Sequence, residues 1–381
     1  MSRLGSFLKG VRVLDLSLFL PGPLASLLLA DMGAEVLKIE PPAGDGMRQL
    51  GPRDGDGKPL FYETVNAGKS VRRIDLKSED GRGELVRLVA DADILLEGFR
   101  PGVMARLGLD YETLAQVNPR LIYCSMSGFG AEGPLAHVAA HDVNFLALAG
   151  VLYRNGTERP DYFDPPVADS SASLFAVISV LGALQARTRD GRGCRVDLAL
   201  ADTVMPLQLF QVAALGAIGA NPGPGETYLN GGAAFYRVYE TGDARHVVLG
   251  AAEHKFWRNF CEAAGRADWA ERYADPMPQA ALADEVAAYF RTLNLDQCIA
   301  RFGSAECCFS PVLDLEAAVG SAHHSERGLV RQTSDGALQS LFPALVDGAR
   351  PASRPPMREA AADVGWRPAA RPAAAAGGGR K

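Results

Sequence analysis

None of the six cysteines stands at C-x-x-C spacing, and only Cys307 and Cys308 are neighbours. Adjacent cysteines rarely pair or build a zinc site, so reduced thiols in a cytosolic protein are the simpler expectation. The six histidines are equally dispersed, and no metal is expected. Excess positive charge is also missing. Lys and Arg number 39 against 45 Asp and Glu, a formal net charge of -6, which leaves no basic field for displacing the counterions of a nucleic acid. No G-x-G-x-x-G follows the first strand-like run, no G-x-x-x-x-G-K-[ST] occurs, and no G-x-S-x-G occurs. These absences argue against a dinucleotide fingerprint, a P-loop and a hydrolase nucleophile elbow. The apolar N-terminal stretch is interrupted by Asp15 and Pro21, and no apolar run reads as long enough to span a bilayer. A soluble, cytoplasmic chain with no membrane partner is therefore expected.

What the sequence does contain is an ordinary globular balance over 381 residues, 48% hydrophobic and 22% charged, enough for two domains. "VRVLDLS" (11–17) reads as a buried strand, "GPLASLLLADMG" as a helix ending at Gly33, and "AEVLKIE" (34–40) as the next strand. Such β-α-β alternation continues to about residue 200 and predicts an α/β fold on a parallel sheet. The Gly- and Pro-rich stretch 219–232 reads as a linker to a smaller α+β domain, "FYRVYETGDARHVVLGA" as a hairpin within it, and the tail as mobile. The expected division is 1–218 for the large domain, 219–322 for the small one, 323–352 as a return to the large domain, and 353–381 as the tail.

Two places carry acid–base candidates. In "AAHDVNFLALAG" (139–150) His141 and Asp142 precede a helix, and in "PPVADSSASLF" Asp169 does the same. The field at a helix start disfavours an imidazolium, which predicts a neutral His141 able to act as a base. The plainer alternative is that Asp142 and Asp169 are helix caps and His141 a surface neighbour. Among the basic residues of the first third, Lys38 and Arg100 stand at the ends of predicted parallel strands, where open sheets place their ligand crevice. They suggest an anionic, phosphate-bearing ligand, while most of the other basic residues there, Lys69 among them, are expected to be solvated surface charge.

"GVRVLDLSLFLPGPLASLLLADMGAEVLKIEPPAGDGMR", "NAGKSVRRIDLKSEDGR", "EGFRPGVMARLGLDYETLAQVNPRLIYCSMSGFGAEGP" and "NGGAAFYRVYETGD" together resemble the class III CoA-transferase family (CaiB/BaiF type), which includes the α-methylacyl-CoA racemases. The resemblance runs from about residue 8 to about 320. It implies a Rossmann-like large domain and a small domain in an interlocked homodimer, with an acyl-CoA thioester as substrate and no tightly bound cofactor. Asp169 falls on the family's shared carboxylate. In the transferase branch that group attacks the acyl carbonyl and goes on to an aspartyl-CoA thioester. In the racemase branch it works with a histidine across the substrate's α-carbon, through an enolate. "AHDVNF" (140–145) is similar to the racemases' "GHDINY", so the resemblance implies His141 and Asp169 as the catalytic pair of an acyl-CoA racemase, with CoA transfer on Asp169 as the alternative. It further implies Lys38, Arg48 and Arg100 near the CoA phosphates, and Asp142 and Glu253 beside the site. "ADSSAS" replaces the racemases' glycine-rich "GDFGGG", and residues 38–70 look more like the transferase branch.

Overall fold

The computed structural model describes residues 2–155, 160–333 and 336–360. Along the chain run β1 (Arg12–Leu16), α1 (Pro21–Asp31), β2 (Glu35–Glu40), α2 (Leu60–Asn66), β3 (Ser70–Arg73), α3 (Glu79–Val89), β4 (Ile94–Glu97), α4 (Val103–Leu107), α5 (Tyr111–Val117), β5 (Ile122–Ser127), α6 (Asp142–Leu148), α7 (Val151–Arg154), α8 (Val167–Asp190), β6 (Cys194–Ala199) and α9 (Leu209–Ile218). After these come β7 (Tyr236–Glu240), β8 (His246–Gly250), α10 (His254–Ala264), α11 (Ala267–Ala270), α12 (Ala280–Phe290), α13 (Leu295–Phe302), β9 (Phe309–Pro311), α14 (Leu315–Gly320), α15 (Ala322–Arg327), β10 (Val330–Gln332), β11 (Leu338–Ser340) and β12 (Arg358–Glu359).

Seven strands form one sheet in the order β12-β3-β2-β1-β4-β5-β6, parallel throughout. Strands covered on both faces have no solvent side, so β1 and β4 are buried along their whole length, the charged Arg12, Asp15 and Glu97 included. The order reverses between β1 and β4. At such a switch point the connections leave to opposite faces, opening a crevice beyond the carboxyl ends of the two strands.

Helix α8 lies over this sheet against α1, β5 and β6. By length and composition it is apolar enough to cross a membrane, which corrects the expectation that no stretch of that length exists. Its buried side carries Ala168, Ala172, Ala176, Val177 and Val180, and 39% of its apolar stretch is buried within the fold. Leu174 and Ile178 remain exposed.

The chain divides into two units, and the division differs from the one the composition suggested. One unit takes the chain up to Phe145, Pro165–Leu207, and again from Ala322 on; the other takes Leu146–Asp164 and Gln208–Ser321. Helix α9 and the excursion after α6 thus belong to the second unit, and 219–232 lies inside that unit rather than between the two. The expected tail is also partly ordered. Arg354 makes a two-pronged ion pair with Asp31, each N···O distance 2.7 Å, and Arg358 and Glu359 pair with Ser70 and Val71 as an edge strand. An otherwise open edge of β3 gives these polar residues backbone partners that composition alone cannot reveal. The remainder of that tail, 361–381, lies outside the described residues.

In the second unit β7, β8 and β9 form an antiparallel sheet. Trp257, Phe260, Trp269, Phe290 and Phe302 fill its core at 1% exposure or less. The Trp257 indole N–H donates to the Trp269 carbonyl at 3.0 Å, which satisfies the one polar atom its burial removes from water.

Candidate active site

Beneath the crevice the sheet carries a buried ionic group. Asp15 at the end of β1 accepts bonds from the Ser17 hydroxyl, from the Ser17 N–H at 3.0 Å, from the Ser26 hydroxyl at 2.5 Å and from Lys69 Nζ at 3.3 Å. Burial opposes its charge, but Lys38, Lys69 and the two serines outweigh that and hold the Asp15 carboxyl low, at about 2. Burial pulls the Lys69 ammonium down to about 7 against the support of Asp15.

Lys38 belongs to this group. Its ammonium is fully buried, donates to the Ser17 carbonyl at 2.6 Å and pairs with Asp45 at 3.0 Å. The expectation that Lys38 meets a CoA phosphate is corrected accordingly, because the charge is consumed inside the sheet. Arg48 is similarly engaged. It bonds Glu40 at 2.9 Å, Tyr62 at 2.6 Å and Glu359 at 3.1 Å, with its guanidinium 4.0 Å from the Tyr62 ring centre. Arg100 lines a cleft of about 250 Å³ that also holds Arg195, Glu97, Asp110, Glu112 and Glu132. A diphosphate there would meet more carboxylates than guanidiniums.

Asp45 also holds the β1–α1 loop. One of its oxygens accepts the Phe19 N–H at 3.3 Å and the Met47 N–H at 2.9 Å. Phe19 sits at φ +64°, a left-handed conformation that costs a bulky residue about 1–3 kcal/mol. The buried ion pair beside the loop supplies what keeps it there.

Above that loop the acid–base candidates come together. His141 stands immediately before α6, its carbonyl accepting the Asn144 N–H at 2.9 Å. Asn144 reaches back with its side-chain oxygen to the His141 N–H at 3.0 Å. This half of a capping box ties the backbone, while the His141 residue itself is exposed. Asp142 caps a helix other than its own. Its Oδ1 accepts the N–H of Asp169 at 3.0 Å, in the first turn of α8. Asp169 is therefore not the cap of α8; that position is Pro166, which offers no side-chain bond. Asp142, His141 and Asp169 thus meet where the starts of α6 and α8 are tied together.

The electrostatics of Asp169 follow from this placement. Burial raises its carboxyl, the Asp142 carboxylate raises it further, His141 pulls the other way, and the outcome is about 6. A carboxyl half-ionised there is a far stronger base than an ordinary one near 3.8, yet still mostly ionised at neutral pH. Glu253 lies in the second unit, exposed and immediately before α10.

Comparison with known proteins bears on what such a pair is for. Residues 8–361 match the family model described as CoA-transferase family III. The chain belongs to that family. Among its relatives, an acetyl-CoA:oxalate CoA-transferase from Acetobacter aceti is 37% identical over 267 residues, 67% of this chain and 66% of that protein, just under two thirds. An α-methylacyl-CoA racemase from Mus musculus is 34% identical over 339 residues, 84% of this chain and 81% of the relative. A CaiB/BaiF family protein from Brucella suis has a solved structure that superposes with a TM-score of 0.81 at 28% identity, covering 92% of this chain and 96% of that one. Members of family III are enzymes, racemases and CoA-transferases alike, and the two activities lie at similar identity to this chain.

Sequence reasoning missed Asp15, Asp45 and Lys69. Asp15 and Lys69 stand inside or just before an apolar strand, where a charge needs a buried partner; Asp45 lies in the turn after β2 and carries no such signal. Ser171 and Ser173 stand out in the sequence only as part of "ADSSAS", the departure from the racemases' glycine-rich motif.

Proposed function

We propose that this family III enzyme interconverts the epimers of 2-methylacyl-CoA thioesters by 1,1-proton transfer, with Asp169 and His141 on opposite faces of the α-carbon. The observation that carries the reading is the pairing of a carboxyl near 6 with an exposed imidazole where Asp142 ties the starts of α6 and α8 together. The Asp169 carboxylate takes the α-proton, leaving the thioester enolate and a carboxylic acid. Protonated His141 then gives a proton to the other face. The reverse reaction starts from the opposite protonation states, so one site runs both directions, and exchange of either group with water resets it.

A second reading is CoA transfer, which rests on Asp169 alone and on similarity to the oxalate transferase. There the carboxylate attacks the acyl carbonyl and CoA leaves as thiolate; the thiolate then attacks the aspartyl carbonyl of the mixed anhydride, the donor's carboxylate departs, and an aspartyl-CoA thioester remains. Incubating a single 2-methylacyl-CoA epimer with the protein and added succinate separates the two. Both epimers should appear, no succinyl-CoA should form, and His141→Ala should remove the conversion. Succinyl-CoA made equally well by His141→Ala would establish the transferase reading instead.

We further propose that the protein works as a homodimer in the cytoplasm. Helix α9 has no buried residue, and exposes Leu209, Phe210, Val212, Leu215 and Ile218. An exposed apolar patch of that kind is an association site. Equilibrium sedimentation should give twice the 40.4 kDa chain mass, and Phe210→Asp should shift it toward one. The six cysteines are all unpaired and four are buried, which supports a reducing compartment.

A further inference from the structure

We propose that Ser173 and Ser171 are positioning residues that clamp the first turn of α8 onto two flanking segments and so fix where the Asp169 side chain stands. The proposal rests on reading Asp169 as the reacting carboxylate, whichever of the two reactions it serves.

Serine is a middling helix former whose hydroxyl competes for backbone groups. Three serines within four residues of Asp169 (Ser170, Ser171 and Ser173) therefore have no propensity reason to be there. The two that are buried both find partners outside their helix. Ser173 is fully buried, and its Oγ lies 2.7 Å from the Pro21 carbonyl oxygen and 2.8 Å from that of Asp169. Its one hydrogen is shared between them, linking the first residue of α1 at the crevice edge to the backbone of the carboxylate. Ser171 is 5% exposed, and its Oγ lies 2.8 Å from the Thr203 hydroxyl, in the turn after β6, and 3.0 Å from the Ala168 carbonyl. Thr203 in turn reaches the Leu200 carbonyl at 2.8 Å.

Asp169 is thus held three ways. Asp142 holds its N–H, Ser173 its carbonyl, and Ser171 the residue two places on. Its carboxylate takes no part in these bonds. Glycines at Ser171 and Ser173, as in the racemase motif the sequence departs from, would offer none of the hydroxyl bonds. The departure is therefore a fastening rather than an obstruction. A reacting group must be held to a fraction of an ångström, and a shift of about 1 Å costs on the order of 100-fold in rate, so fixing the turn acts directly on turnover.

The test compares wild type, Ser173→Ala, Ser171→Ala and Thr203→Val, using kcat and KM on a 2-methylacyl-CoA and a ¹³C-carboxyl NMR titration of Asp169 assigned with Asp169→Asn. Ser173→Ala should lower kcat roughly 10-fold with KM within about twofold, and should move the Asp169 midpoint from about 6 toward the ordinary 3.8 as water enters. Ser171→Ala and Thr203→Val should act alike and not add, since they break one bond. These two also carry the test if Ser173→Ala does not fold. An unmoved midpoint, with any loss of kcat tracking loss of Tm, would reduce the serines to helix packing and overturn the proposal. Should wild type turn over no acyl-CoA, the functional reading fails while the NMR midpoints still decide the clamp.

Discussion

Asp169→Asn should abolish turnover and at the same time make the protein more stable. The amide can neither take the α-proton nor attack a carbonyl, and losing a positioned acid–base group costs about 10²- to 10⁴-fold in rate. The gain in stability follows from linkage. In the folded protein the carboxyl sits at about 6 against 3.8 for a free side chain, so the folded state binds this proton more tightly than the unfolded one. Its stability therefore falls as pH rises from about 4 through 6, and the whole cost is present above 6. Asparagine carries no charge at any pH and escapes that cost, which is about 1–3 kcal/mol. The Tm of Asp169→Asn should match wild type near pH 4 and exceed it by several degrees at pH 7. Loss of activity with a lower Tm at neutral pH would mean that Asp169 is a structural carboxylate. The same titration predicts that kcat/KM of wild type falls below pH about 6, as the base becomes protonated.

Lys38→Met should cost about 3–5 kcal/mol of stability, because it leaves the Asp45 carboxylate buried without its partner. Both side chains of that pair are fully buried, and solvent cannot take over the role of the ammonium. The double variant Lys38→Met with Asp45→Asn should recover more than half of the loss, since a buried ion pair replaced by neutral groups is often tolerated. Denaturant unfolding of the four proteins in the cycle measures this directly. Were Lys38→Met within 1 kcal/mol of wild type and deficient only in CoA affinity, Lys38 would be a phosphate ligand after all.

The contrast between these residues marks what can be read without coordinates. The strands of the sheet were legible from short apolar and β-branched runs set between helix-length segments, and "VRVLDLS" and "AEVLKIE" became β1 and β2 within a residue or two. His141 and Asp169 were legible because both stand at helix starts. That Asp142 caps α8 rather than α6 was not, since the two helix starts are 25 residues apart and only tertiary folding joins them. Lys38 looked like a ligand because of its place near a strand end; its partner Asp45 lies seven residues on, beyond a turn, and no periodicity connects the two. The division of the chain escaped composition for a related reason. Helix α9 is apolar on every side, as a helix of the large unit's core would be, yet it belongs to the second unit and lies exposed.

The central claim is that Asp169 and His141 move a proton at the α-carbon of an acyl-CoA. Following the α-proton of a 2-methylacyl-CoA by NMR in deuterium oxide tests it most directly. The account predicts wash-in of deuterium by the wild-type protein, and none by His141→Ala or Asp169→Ala. Retention of the α-proton by the wild-type protein, with CoA appearing on an added carboxylate in a reaction that needs Asp169 alone, would contradict it.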